Sequence, residues 1–146
     1  MANHRELKEI AKSRLKAARM LIDKNDYDGA FYLMGHVVEL SLKSAICKRL
    51  NFPTYPDNRS DDINKIFKTH KFDILLMLSG MEKEFTISAL VPQRRSENWS
   101  HVTKWTPDAR YQPIGTRTQV EVERIYLALT ETPDGLLTWI NKHKKW

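Results

Sequence analysis

A single cysteine, Cys47, is present in the 146 residues of this chain. That excludes an intramolecular disulfide and every multi-cysteine zinc or iron–sulfur site. Glycine and proline are sparse, at five and six residues, which excludes collagen-like and low-complexity classes. No apolar run approaches the roughly 18 residues of a spanning helix, so no membrane insertion is expected. The opening residues Met1-Ala2-Asn3-His4-Arg5-Glu6 contain neither an apolar stretch nor a cleavage pattern. No signal peptide is therefore expected, and the expected compartment is the cytoplasm. Enzyme signatures are missing too: there is no Walker lysine loop, no G-x-G-x-x-G, no G-x-S-x-G and no H-E-x-x-H. No metal site and no cofactor are expected.

What remains is a hydrophobic fraction of 41% and a charged fraction of 29%, the mixture of a folded, water-soluble chain. The length fits one domain over residues 1–146. Twenty-four basic and 18 acidic residues leave a net charge of +6. The excess is concentrated at the ends: residues 1–50 carry 10 basic and 6 acidic groups, 51–100 carry 7 and 7, and 101–146 carry 7 and 5. Such an excess permits contact with nucleic acid or nucleotides without requiring it.

Hydrophobic spacing is helical along most of the chain. Leu7, Ile10, Ala11, Ala18, Leu21 and Ile22 make one apolar stripe over Glu6–Lys24, and Asn25-Asp26 ends it. The next helix, Tyr27–Leu50, is apolar around more than half its circumference, as a central buried helix would be. Cys47 lies within it and reads as a buried structural thiol. A proline-containing loop over 51–60 follows, then a short helix carrying Ile63, Ile66 and Phe67, and another starting near His70 and stopping at Gly80. Phe85-Thr86-Ile87-Ser88-Ala89-Leu90 alternates like a strand but has no partner, so it is read as helical. Pro92 suits the first turn of a helix through Lys104. Thr106–Gly115 is a loop, Thr116–Thr130 a helix, and Pro133 opens a closing helix with Leu136, Leu137, Trp139 and Ile140. The expectation is an all-α antiparallel bundle of four to six up-and-down helices.

One face of the second helix is polar: Tyr32, His36, Glu39 and Lys43 are spaced by four, three and four residues. Glu39 precedes Lys43 at the favourable i,i+4 ion-pair spacing. The stripe is either a solvated face or a polar patch in a groove.

The segment Ala30-Phe31-Tyr32-Leu33-Met34-Gly35-His36-Val37-Val38-Glu39-Leu40-Ser41-Leu42-Lys43-Ser44-Ala45 resembles the core helix of HEPN domains, the higher eukaryote and prokaryote nucleotide-binding family. Thr69-His70-Lys71-Phe72-Asp73-Ile74-Leu75 resembles the family's following helix start. Trp105-Thr106-Pro107-Asp108-Ala109-Arg110-Tyr111 resembles the W-x-P-x-x-R-Y segment of many prokaryotic members. The resemblance implies a HEPN-like bundle, often a homodimer, that acts near nucleotides or RNA. Its settings are toxin–antitoxin and phage-defence systems, commonly beside a small nucleotidyltransferase partner. Glu39, Lys43, His70, Trp105, Arg110 and Tyr111 are the expected ligand-binding set. The aromatic rings would offer stacking faces and Arg110 a fork for phosphate; the alternative is that Trp105 and Tyr111 plug the bundle end.

HEPN ribonucleases carry an Arg and a His four to six residues apart. Arg94 has six residues before His101, and Arg95 has five. A seven-residue step returns to nearly the same helical face, which favours Arg94. His101 would serve as general acid/base and the arginine would stabilise phosphorane charge, without metal. Arg95 or Ser96 stands where the family has a polar Asn, Asp or His. The leading expectation is therefore a non-catalytic binding and interaction module. A metal-independent endoribonuclease and a purely structural partner of a nucleotidyltransferase are the alternatives.

Overall fold

The computed structural model describes residues 2–55, 61–86 and 89–146, with only the main chain at 63 and 66, and every regular element in that range is helical. Helix α1, His4–Asp23, starts from a capping box. The Asn3 side chain accepts from the N–H groups of Arg5 and Glu6, and Glu6 accepts from that of Asn3 at 2.8 Å. Its buried stripe is Leu7, Ala11, Ala18 and Ile22. Asn25 takes φ 63° in the turn, and Asp26 caps α2, Tyr27–Leu50, by accepting from Gly29 N–H. α2 lies at the centre, running along α1 and touching α4, α7 and the 3₁₀ turn. It is buried on nearly all sides, and Phe31, Met34, Val37, Leu42 and Ile46 are almost wholly removed from solvent. Its buried hydroxyls are satisfied: Ser41 donates to Val37 O, and Ser44 donates to His4 O, tying the start of α1 to α2.

Short helices α3, Asp61–Phe67, α4, Phe72–Ser79, and α5, Glu82–Thr86, close one side. Gly80 ends α4 at φ 80°. α6, Gln93–Val102, and α7, Gln119–Thr130, pair with each other, and α8, Leu136–Lys142, packs on α7. Between α6 and α7 runs a 3₁₀ turn, Pro107–Tyr111. The connection to α7 is pinned to the start of α2, because Asp28 accepts from the N–H groups of Gly115 and Arg117 at 2.6 and 2.9 Å.

The all-helical expectation holds, with differences at the ends. His70 and Lys71 precede α4 rather than forming its first turn, and the chain from 106 to 115 contains a 3₁₀ turn. α7 begins at Gln119 because Thr118 accepts from Glu121 N–H as its cap. Pro133 does not open α8; it lies in a turn closed by Gly135 N–H donating to Glu131 O, and the helix starts at Leu136. Of the alternating segment, Phe85 and Thr86 end α5 and Ala89-Leu90 form a turn; Ile87 and Ser88 lie outside the described residues. Among the described residues the only β pairing is an isolated bridge between Ala2 and Tyr55.

Candidate functional site

The polar stripe of α2 is not a solvated face. Glu39 and Lys43 are both buried, and Lys43 Nζ donates to Glu39 Oε1 at 2.5 Å. His70, from the loop before α4, brings Nδ1 to 2.8 Å from the same oxygen. Glu39 Oε2 is buried with no hydrogen-bond partner, and His36 Nδ1 stands 4.0 Å from it. Lys43 Nζ also lies 5.2 Å from the centre of the Tyr55 ring. Burial holds the His36 imidazole below its ordinary value; Glu39 opposes this, while His70 and the more distant Arg110 and Arg14 add to it. Burial likewise pushes the Tyr55 hydroxyl upward.

Trp105 lies against this stripe. A Cβ on Gly35 would come within 1.9 Å of the indole, so only glycine lets the ring rest on α2. Phe72 stacks on it with centroids 5.3 Å apart and planes 10° apart, and His36 meets it edge-on at 5.4 Å. With Gly35 and Phe72 against it, the indole is buried. Tyr111 does not plug anything, being 74% exposed. Arg110 lies 4.9 Å from the Tyr111 ring centre, and the neighbouring Tyr111 and Tyr32 hold its guanidinium pKa above the ordinary value. Arg110 does not reach Glu39; the carboxylate's partners are Lys43 and His70.

Beside Trp105 opens a cleft of about 610 Å³. Lys68, His70, Lys71 and Phe72 border it on one side, Trp105 and Asp108 on the other. His70 is anchored to the buried Glu39 yet its side chain is 57% exposed. With Nδ1 engaged, Nε2 is the ring nitrogen left for a ligand. Glu39, Lys43 and His70 thus form one bonded cluster, Trp105 adjoins it through His36 and Phe72, and Arg110 with Tyr111 forms a rim beyond Tyr32. His36, Gly35, Phe72, Lys68 and Lys71 were not selected from sequence. His36 had a signal, its i,i+3 spacing to Glu39; Gly35, Lys71 and Phe72 lay inside the segments that resemble the family, and Lys68 lay outside them.

The second candidate pair lies on α6. Arg95 turns inward, pairing with Asp134 at 3.2 Å, donating to Glu84 O and covering Phe85 and Trp139. Arg94 is half exposed and grips both carboxylate oxygens of Glu131, at 2.5 and 2.8 Å. Burial, then the charges of Arg124, Lys104 and Arg94, hold the His101 imidazole below its ordinary value. Arg124, from α7, donates through Nη2 to the buried Asn98, while its Nη1 is buried without a partner. A neutral imidazole among three cations suits an anionic ligand. Nothing in the local sequence marked Arg124, which reaches this site from another helix.

A family model described as HEPN domain matches residues 4–131. No curated protein and no solved structure matches the chain. Among the described residues no helix is long and apolar enough to cross a membrane.

Proposed function

The chain belongs to the HEPN domain family, and from that premise we propose that it is a non-catalytic module binding a nucleotide or RNA segment in the cleft beside Trp105. The observation that carries this reading is the Glu39–His70 contact. A buried carboxylate holds an exposed imidazole at a cleft bordered by Lys68 and Lys71. His70 Nε2 would meet a donor on the base or sugar. Arg110 and Tyr111 at the rim would take phosphate and an unstacked base. Trp105 supports the cleft wall instead of stacking on the ligand. Fluorescence anisotropy with a labelled oligoribonucleotide and with a nucleotide tests this. Affinity should fall with rising salt, fall on Arg110→Ala and His70→Ala, and stay unchanged on His101→Ala. Unchanged affinity in both cleft variants would overturn the reading.

The endoribonuclease is the second reading, favoured by the gathering of Arg94, His101 and Arg124. His101 would take the proton of a 2′-hydroxyl, the arginines would hold the phosphate, and the product would be a 2′,3′-cyclic phosphate. Against it, the bidentate Arg94–Glu131 pair must open before Arg94 can reach a phosphate. RNA cleavage in chelator that is lost on His101→Ala would establish this second reading instead. The proposed setting is a toxin–antitoxin or phage-defence system with a small nucleotidyltransferase as partner. A two-fold homodimer is part of the same proposal, and Val120 and Leu127, exposed and seven residues apart on α7, are apolar groups that such an interface would cover.

A further inference from the structure

A second concave surface lies at the end of the molecule where α1 begins and α2 finishes. It is a cleft of about 630 Å³ whose walls carry Arg5, Lys8 and Lys12 from α1 and Lys48 from α2, with Trp146 closing one side. Among its described lining residues Glu9 is the one acidic side chain, and the Trp146 main-chain oxygen lies 3.4 Å from Lys48 Nζ. The sequence placed the basic excess at the chain ends; the fold joins those ends in one place, because the antiparallel α1–α2 pair returns Lys48 beside His4 and the segment after α8 lies across both.

The arrangement gathers charge of one sign. His4, Lys8 and Lys12 follow at i,i+4 steps on one helical face, and the like charges of Lys8 and Lys12 repel there. Lys8 and Lys12 are held in position by the Trp146 indole, 5.3 and 5.9 Å from its centre. Lys48 is fixed by donating to Lys144 O. His4 Nδ1 is buried with no hydrogen-bond partner. Burial and the charges of Arg5, Lys48 and Lys8 favour the neutral form of His4, and burial with Lys12 and Lys48 lowers Lys8. Arg5, Lys8, Lys12 and Lys48 thus share one concave surface with a single acidic side chain, Glu9, among its described lining residues.

We propose that this cleft is a separate binding site for a single-stranded phosphodiester backbone, read by charge and not by base. Successive i,i+4 cations stand about 6 Å apart along the helix axis, so they offer a row and not a point, which suits a strand better than one phosphate. Trp146 is buried and serves to hold the lysines, so no base stacks on it. This site does not rest on the cleft beside Trp105, and the two share no residue.

The test is anisotropy titration of labelled oligouridylate with the full chain across a salt series, in wild type, Lys8→Gln/Lys12→Gln and Arg110→Ala. The slope of log affinity against log salt should fall by about 1.4 in the double variant, about 0.7 for each phosphate no longer neutralised. The melting temperature is measured alongside, because the double variant removes an i,i+4 repulsion but also the two contacts with the Trp146 ring; Lys48→Gln, which touches neither, should by itself lower the slope by about 0.7. A loss confined to Arg110→Ala would overturn the proposal while sparing the cleft beside Trp105. A lysine-dependent affinity for tripolyphosphate or for an acidic peptide, with none for oligouridylate, would also overturn it.

Discussion

Removing the Glu39 carboxylate should be among the most damaging single changes in this protein. Glu39 and Lys43 have side chains only 9% and 11% exposed, and among the described residues Glu39 is the acceptor of Lys43 Nζ, with the Tyr55 ring as a further neighbour. In Glu39→Ala the ammonium stays buried without its counter-charge, a change that costs about 3–5 kcal/mol. His70 loses its anchor as well, but it is exposed enough to be hydrated and adds little. At this chain length 1 kcal/mol moves the melting temperature by about 2–4 °C, so the loss is roughly 6–20 °C. Glu39→Leu/Lys43→Met removes both charges and keeps the volume, and should lie within about 1 kcal/mol of wild type. Urea unfolding followed by circular dichroism gives these stabilities, and adding the single variants Glu39→Leu and Lys43→Met completes the double-mutant cycle that isolates the pair. A single variant within about 1 kcal/mol of wild type would refute the buried-pair argument, as would a double variant no more stable than Glu39→Ala.

Gly35→Ala should displace the Trp105 indole, since the new Cβ falls 1.9 Å from it; about 1–3 kcal/mol of destabilisation and an altered near-ultraviolet dichroism are expected. Glu131 is pulled down to about 2, chiefly by its hydrogen bonds from Arg94, with Asn98 adding to this. A depressed carboxylate stabilises above its unfolded value near 4.5 and loses that contribution as pH falls toward 2; Glu131→Gln should flatten the acid limb of the stability curve in that window. His36 should titrate below its ordinary 6.5 in an NMR series, and lower still in Glu39→Gln, because burial is the main cause and the Glu39 charge the main opposition; an upward shift in that variant would contradict the geometry.

Local chemistry in the sequence was enough for the helices and for the bundle class. The stripe Leu7, Ala11, Ala18, Ile22 is an i,i+4 signal, and the Asn25-Asp26 break and the Gly80 stop act on their own neighbours. The spacing of Tyr32, His36, Glu39 and Lys43 likewise put four polar groups on one face. Spacing reports which residues share a face, not which face another element covers. Which part of that stripe met core was settled by α4, the 3₁₀ turn and Tyr55: Glu39 and Lys43 are buried, while Tyr32 and His36 are half-buried. The Glu39–His70 contact crosses 31 residues, and Trp105 rests on α2 only where Gly35 removes a side chain. Adjacent Arg94 and Arg95 are chemically equal in sequence, and only the position of Glu131 and Asp134 beyond α7 sends one outward and one into the core. The cationic cleft depends most on the fold: its lysines lie on one helix, but Lys48 and Trp146 join them because antiparallel packing returns distant chain segments to one end, a long-range arrangement that no local pattern encodes.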